Sequence, residues 1–131
     1  MVYLTEIKVR GYHADFYGHV NNARYLEFFE EDRWAHFEAN IDLKKWAAEG
    51  LIFLVVNINI NYRRAVAVGE TLLVSTKLEK IGNRSGVMKQ EMVLKSTKKI
   101  AADALVNFVV RDRDGAVKME GDFLEEIKKL G

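Results

Sequence analysis

Alternation of apolar and polar residues predicts several half-buried β-strands in this chain. The first, residues 3–10, places apolar or β-branched side chains on one face and mostly charged ones on the other. Residues 52–64 begin fully apolar and then alternate isoleucine or tyrosine with asparagine or arginine. Residues 70–81, 87–95 and 99–111 are rich in Val, Leu, Thr and Met, and short polar turns separate them. The pattern predicts a five-stranded antiparallel sheet.

A helical pattern separates the first strand from the others. Residues 23–37 contain good helix formers without Gly or Pro, and Asn21 or Asn22 before them is a suitable N-cap. Apolar and aromatic side chains cover more than half of this helix, and charged residues, including Arg33, supply the remaining positions. Residues 43–48 and 123–130 are predicted to form two shorter helices.

The order of these elements predicts an α+β fold in which the five-stranded sheet wraps around one long central helix. One helix leaves a sheet edge and a sheet face uncovered, which is typical of a subunit interface. We therefore expect a homodimer or a homotetramer. A row of neutral amides on one strand face, Asn57, Asn59 and Asn61, is expected to meet the partner sheet.

Composition narrows the function further. The 131 residues fit one domain spanning residues 1–131. The absence of cysteine excludes a disulfide framework, a thiolate zinc site and a cysteine nucleophile. A net charge of +1 gives no basic field for nucleic acid, so no nucleic-acid partner is expected. Without an apolar stretch of membrane-spanning length or a leader pattern, we expect no membrane partner and a cytoplasmic location.

The chemically informative stretch precedes the long helix. It places a carboxylate (Asp15), a glycine (Gly18), an imidazole (His19) and two amides (Asn21 and Asn22) next to a helix N-terminus. That end of a helix presents unpaired N–H groups and the positive end of the macrodipole, so it can receive a developing negative charge. An ionised Asp15 can attack a reactive carbonyl or deprotonate a water beside it. A thioester is a suitable carbonyl for so weak a nucleophile.

The same stretch carries a family resemblance. Residues 15–26 read D-x-x-G-H-V-N-N-x-x-Y-L, which resembles the hotdog-fold thioesterases related to 4-hydroxybenzoyl-CoA thioesterase. Residues 7–34, 55–64 and 102–105 are similar to bacterial long-chain acyl-CoA thioesterases of type III. The resemblance implies a hotdog fold and hydrolysis of a medium- to long-chain acyl-CoA to a free fatty acid and CoA. At position 18 the chain has glycine, as in the broader family, whereas a bulkier residue is expected in the long-chain relatives. The preferred acyl length therefore stays open.

The resemblance also assigns roles. Asp15 falls on the catalytic aspartate, as nucleophile or general base, and the Asn22 backbone N–H falls where the thioester carbonyl is polarised. His19 belongs to the same catalytic motif. The residues expected to contact substrate are Tyr17, Gly18, Asn21, Tyr25, Phe29, Arg64 and Arg84, with the last two and Lys89 proposed for the CoA phosphates. The family works as dimers or tetramers with the acyl channel at a subunit interface. CoA is part of the substrate, and no cofactor is expected.

Alternatives remain at several positions. An Asp before a helix is often only an Asx-turn residue. Glu30 or Glu31 is a candidate second acid, since some hotdog enzymes use a helix glutamate. The histidines lack converging ligand spacing, so no metal is expected. Without a G-x-S-x-G elbow a serine hydrolase is disfavoured. The rival functions are an acyl-carrier-protein thioesterase, a dehydratase using His19, and a non-catalytic acyl-CoA-binding protein.

Overall fold

The structure, a computed structural model, describes residues 3–131, with the backbone alone at Leu4. Six strands are present in this part of the chain: β1 (Tyr3–Lys8), β2 (Ile52–Tyr62), β3 (Thr71–Ile81), β4 (Gly86–Leu94), β5 (Ile100–Asp112) and β6 (Gly115–Ala116). The helices are α1 (Asn22–Asn40), α2 (Leu43–Ala48) and α3 (Gly121–Lys128), and a 3-10 turn spans Gly11–His13.

The strands form one antiparallel sheet in the order β1-β3-β4-β5-β2. Its five long strands confirm the predicted sheet, and the two-residue strand β6 extends it beside the end of β5. The sheet curls around α1, which confirms the predicted α+β hotdog architecture. Two strands, β1 and β2, therefore lie at the edges of this sheet.

The inner face of α1 supplies much of the hydrophobic core. Tyr25, Phe28, Phe29 and Phe37 are buried against the sheet, and β4 and β5 contribute residues such as Phe108. Burying large aromatic side chains removes extensive apolar surface from water and is the main stabilising contribution here. The other face of α1 is open, and Trp34 on it remains 52% exposed. The expectation of a helix wrapped on most sides therefore holds only for the sheet-facing half.

A buried polar network links α1 to three strands. Asp32, which is 0% exposed, accepts hydrogen bonds from the hydroxyls of Thr5 in β1 (2.7 Å) and Thr76 in β3 (2.5 Å). The Gln90 amide in β4 donates to Thr76 Oγ1 at 2.8 Å, and its Oε1 accepts from Arg33 Nη1 at 2.9 Å. Burial raises the pKa of Asp32 and lowers that of Arg33. These hydrogen bonds tie two side chains of α1 to three different strands. The network therefore fixes the position of α1 on the sheet.

One sequence-based expectation about polar residues is wrong. Arg33 was expected among the outer, polar positions of the helix, but its side chain crosses to Gln90 and only 7% of the residue is exposed. Contact between the asparagine row and a partner sheet stays a prediction, and two of its members also have hydrogen bonds within the chain. Asn57 accepts from the Asn107 amide at 3.2 Å, and Asn61 donates to Asp103 at 3.1 Å.

Candidate functional site

A tight turn presents Asp15 ahead of α1. The Gly18 N–H donates to the Asp15 carbonyl at 3.1 Å, and the Asp15 N–H donates to the His19 carbonyl at 2.8 Å. Gly18 has φ of 80°, a left-handed conformation that a side chain would strain. Among the described residues, apart from the two chain neighbours of Gly18, no atom lies within 4 Å of where a Cβ would stand, so the turn is open above this residue. The glycine is therefore required by backbone conformation, and it also leaves room for an approaching ligand.

The Asp15 carboxylate is exposed at the tip of this turn. Its Oδ1 accepts from the Tyr17 N–H at 2.9 Å, which is the Asx-turn geometry. Oδ2 has no hydrogen-bond partner among residues 3–131. Phe16 and Tyr17 beside it are 96% and 79% exposed. The residue thus shapes the turn with one oxygen and leaves the other available for chemistry.

Backbone hydrogen bonds fasten this loop to the sheet. The Val20 N–H donates to the Val66 carbonyl at 2.8 Å, and the Asn21 N–H donates to the His13 carbonyl at 3.0 Å. The buried His13 ring accepts the Arg10 N–H at Nδ1 (2.8 Å). Burial lowers the pKa of His13, and the nearby Arg24 cation lowers it further. A neutral His13 therefore acts as an internal support for the loop that carries Asp15.

The N-terminus of α1 directly follows this loop. Asn21 is the N-cap, and its side chain accepts from the Ala23 N–H at 2.9 Å. The Asn22 N–H, in the first helical position, finds no acceptor in the described part of the chain. The Tyr62 hydroxyl donates to the Asn22 carbonyl at 3.4 Å and places β2 beside the helix start. A free N–H and the positive end of the helix dipole are therefore available next to the Asp15 turn.

The predicted site residues divide into two groups by position. The loop and helix start bring together Asp15, Tyr17, Gly18, His19, Asn21 and Asn22. Tyr25 and Phe29 lie behind them on the sheet side of α1 and are buried. The Tyr25 hydroxyl donates to the Arg64 carbonyl at 3.2 Å, and burial raises the pKa of Tyr25. In one chain, Tyr25 and Phe29 support the site from behind and present no open surface to a ligand.

Arg84 lies far from Asp15 in the same chain. The Asp15 loop is joined to Val66 and Ala67, shortly before β3 begins at Thr71. Arg84 follows the other end of β3, whose eleven residues span about 36 Å at roughly 3.3 Å each. Its guanidinium donates to the Ala116 carbonyl at 2.9 Å. The structure therefore does not bring Arg84 to the site of its own chain.

The remaining candidate residues, one lysine and two glutamates, lie on β4 and α1, away from the Asp15 turn. Lys89 lies in the middle of β4 and pairs with Glu91 at 4.0 Å. Glu30 and Glu31 lie exposed on α1, more than one helical turn beyond Asn22. Neither glutamate shares the turn that holds Asp15.

An apolar groove lies on the open side of α1 and begins about two helical turns beyond Asn22. It lies between the second half of α1, α2 and the start of β2, and its volume is about 420 Å³. Its apolar walls include Trp34, Phe37, Trp46, Leu51, Phe53 and Val55. Two charged residues, Glu30 and Arg33, also line it. At about 1.5 Å per residue, Trp34 lies about 18 Å along the helix from Asn22.

Two residues at the helix start were not singled out in the sequence. Tyr62 contacts Asn22, as described above, and the strand alternation that places it on the inner face was an available signal. Arg24 pairs with Glu27 at 3.1 Å and lies over the Tyr12 ring at 5.6 Å. Its nearness to Tyr12 depends on the fold of the loop, so no local pattern indicated it.

Residues 3–131 contain neither a metal-binding cluster nor a membrane-spanning helix. Within residues 3–131, no three His, Asp or Glu side chains converge as a metal-binding group. In the same range, no helix has both the length and the apolar character needed to cross a membrane.

Comparisons with known proteins point to one family. The sequence profile of the Thioesterase-like superfamily matches residues 9–127. The chain is 44% identical over 129 residues to the long-chain acyl-CoA thioesterase FadM of Escherichia coli strain K12, covering 96% of this chain and 97% of the relative. The crystal structure of YbaW, a probable thioesterase from Escherichia coli, has a TM-score of 0.90 at 42% identity and covers 96% of both chains.

A more distant structure has the same fold. It is a thioesterase from Thermus thermophilus, crystallised with coenzyme A and Zn. Its TM-score is 0.80 at 23% identity, with 96% of this chain and 92% of that chain covered. At this level of identity, the similarity concerns the fold alone.

Proposed function

Since the chain belongs to the thioesterase-like superfamily, we propose that it hydrolyses acyl-CoA thioesters to a free fatty acid and CoA. One observation carries the proposal: an exposed carboxylate, Asp15, and a free backbone N–H, Asn22, flank the same junction between loop and helix. The Escherichia coli relative is named as a long-chain acyl-CoA thioesterase, which supports the same substrate class. CoA is part of the substrate, and the reaction uses no separate cofactor.

Asp15 is the proposed catalytic carboxylate. As a nucleophile, it attacks the thioester carbonyl carbon, the CoA thiolate leaves, and water hydrolyses the resulting anhydride to restore the carboxylate. As a general base, it takes a proton from a water that attacks the same carbon, and that proton leaves with CoA as its thiol. Both routes develop negative charge on the carbonyl oxygen. The Asn22 N–H and the positive end of α1 stabilise that charge.

The neighbouring loop residues hold this arrangement. Asn21 caps the helix, and the His19 carbonyl accepts the Asp15 N–H. Gly18 and Tyr17 form the open side of the turn, from which the thioester approaches. Arg64, whose carbonyl accepts from Tyr25, is the predicted phosphate-binding residue that this chain itself places near the helix start.

The groove along α1 is the proposed place for the acyl tail. Its apolar walls match a hydrocarbon chain, and burial of each methylene group contributes about 0.8 kcal/mol. The distance of about 18 Å from Asn22 to Trp34 is too long for a short acyl group. We therefore assign medium- to long-chain acyl-CoA as the substrate class.

A second copy of the chain is proposed to complete the site. The Asp15 turn and the groove both open to solvent in one chain, although a tail-binding channel must exclude water. The edge strand β2 runs beside both of them and exposes Ile52, Leu54, Val55 and Val56. Pairing β2 with its copy would cover this edge and enclose the groove. The assembly is then a homodimer or a pair of dimers.

Release of free thiol from a panel of thioesters tests the proposed substrate class. The panel comprises butanoyl-, octanoyl-, hexadecanoyl- and benzoyl-CoA, together with hexadecanoyl-acyl carrier protein. We expect kcat/KM to rise roughly tenfold or more from butanoyl- to hexadecanoyl-CoA, because a longer tail buries more apolar surface in the groove. A higher kcat/KM for hexadecanoyl-acyl carrier protein than for hexadecanoyl-CoA would show that acyl carrier protein thioesters, not acyl-CoA, are the substrate class. Binding of acyl-CoA without release of CoA would show that the protein is a non-catalytic acyl-CoA-binding protein.

A further inference from the structure

The wall of the apolar groove contains a buried cation, the guanidinium of Arg33. Arg33 is 7% exposed, yet it lines the groove together with Glu30. Burial of a charged side chain is costly unless hydrogen bonds and counter-charges compensate for it. Burial lowers the pKa of Arg33, which reflects this cost. Most of the other groove residues are apolar, so the tail-binding surface has one buried cationic position.

The protein satisfies only part of the hydrogen-bonding capacity of Arg33. A guanidinium has five N–H donors. Within the described residues, Arg33 makes one hydrogen bond, from Nη1 to Gln90 Oε1 at 2.9 Å, and one long ion pair, from Nη2 to Glu30 at 4.0 Å. Each Arg33 nitrogen atom either has a hydrogen-bond acceptor or is accessible from outside the protein. The unused donors therefore keep access to open space, and the groove is the open space that Arg33 lines.

The guanidinium is also held in place. Gln90, its acceptor, donates to Thr76 and to the Phe29 carbonyl at 2.9 Å, and Thr76 donates to the buried Asp32. This chain of hydrogen bonds fixes the side chain without consuming its remaining donors. A group held in this way can bind an acceptor with little further loss of side-chain entropy.

We propose that Arg33 is a specificity-determining residue that binds an oxygen atom on the distal part of the acyl tail. The occupant is a neutral hydroxyl or oxo group, because Glu30 already balances the charge of Arg33 and a carboxylate would add a second negative charge beside it. Arg33 lies about 16 Å along α1 from Asn22, at about 1.5 Å per residue, so the oxygen lies far from the thioester. The preferred substrates are long-chain acyl-CoA esters with an oxygen function near the end of the tail. This inference rests on the proposed thioesterase function.

Matched substrates test this role. We would measure kcat/KM for ω-hydroxyhexadecanoyl-CoA and hexadecanoyl-CoA, and take their ratio, in the native protein and in Arg33→Met. The ratio should favour the hydroxylated ester in the native protein and fall by about tenfold in the variant, since a hydrogen bond to a charged group is lost. ω-Hydroxyoctanoyl-CoA, which is too short to reach Arg33, should show no such dependence when compared with octanoyl-CoA.

Other variants control for folding and charge. Arg113→Met, at an exposed turn, should leave the ratio unchanged. Arg33→Lys retains a cation and should give an intermediate ratio. If Arg33→Met does not fold, Glu30→Gln provides the test at an exposed position. Removal of that negative charge should raise activity on the ω-carboxy ester relative to the ω-hydroxy ester several-fold.

The outcomes separate this inference from the proposed function. A ratio that is the same in the native protein and in Arg33→Met would overturn the role of Arg33. An unchanged carboxy-to-hydroxy preference in Glu30→Gln would also contradict it. Absence of CoA release from hexadecanoyl-CoA in the native protein would instead contradict the thioesterase proposal itself.

Discussion

At the scale of one residue, Asp15 has a structural role beside the chemical role proposed for it. One carboxylate oxygen holds the Tyr17 N–H and fixes the turn, while the other has no partner in the described chain. The structural alternative considered for this residue, an Asx-turn, is therefore present. It is compatible with the proposed catalytic role, because the Asx-turn uses only one of the two carboxylate oxygens.

The local sequence was sufficient to predict the placement of the loop residues, but not the burial of the charged residues on α1. Asp15 and Asn22 are seven residues apart, and a turn at Gly18 between them keeps these groups on one loop. Asp32 and Arg33, in contrast, depend on partners in β1, β3 and β4. A helical pattern assigns both residues to the polar face, because it carries no information about acceptors that are distant in the chain. Arg84 was a candidate by its charge and its place at a hairpin tip, and the length of β3 carries it away from the site of its own chain.

The support that His13 gives to the loop carrying Asp15 predicts a pH dependence of stability. Burial lowers the pKa of His13, so below its ordinary value of about 6.5 the unfolded chain takes up a proton that the folded chain resists. The stability is present at neutral pH and is lost as the pH falls. Thermal unfolding at about pH 7.5 and about pH 5.5 should show a decrease in Tm of a few degrees in excess of that in His13→Asn, which keeps an acceptor but does not titrate. An equal decrease in both proteins would contradict this role.

At the scale of elements, periodicity predicted the strands and helices well. All five predicted strands are present, with ends that differ by one or two residues from the predicted ones. The short helix matches the prediction at Leu43–Ala48, where the Asp42 side chain caps its start and Gly50, with φ of 73°, follows its end. Helix α1 runs three residues further than predicted, to Asn40. Asn40 donates to the His36 carbonyl at 2.8 Å and stabilises this last turn.

The edge strand β2 is the element that leaves the fold open. It pairs with β5 on one side, and no described strand pairs with its other side. Val56 lies at an irregularity in this strand and is 60% exposed. A long edge with exposed apolar residues is typical of pairing with another chain.

Substitution of Val56 by lysine tests this edge as the subunit interface. Two copies of a charge near a two-fold axis repel each other and remain desolvated, so Val56→Lys should lower the sedimenting mass from a multiple of 15.0 kDa toward 15.0 kDa. Ile100→Lys, at the exposed start of β5, serves as the matched control and should keep the native mass. A Val56→Lys protein with unchanged mass would place the interface elsewhere.

At the scale of the whole molecule, the Asp15 loop lies at the start of α1 and an apolar groove lies further along the same helix. The sequence indicated the fold and the family, and both are confirmed. It could not indicate the groove, because α1, α2 and β2 form it only after the chain folds. The assembly that would enclose this groove likewise depends on surfaces that no single segment defines.

The most direct measurement is CoA release from hexadecanoyl-CoA by the native protein, by Asp15→Asn and by Asp114→Asn. Asp15→Asn keeps an oxygen that can accept the Tyr17 N–H but cannot attack the thioester or take a proton. Its kcat should fall by about a hundredfold or more, while its Tm stays close to that of the native protein. Asp114→Asn, in an exposed turn, should keep native activity. Native activity in a folded Asp15→Asn protein would contradict the account that this carboxylate performs the chemistry.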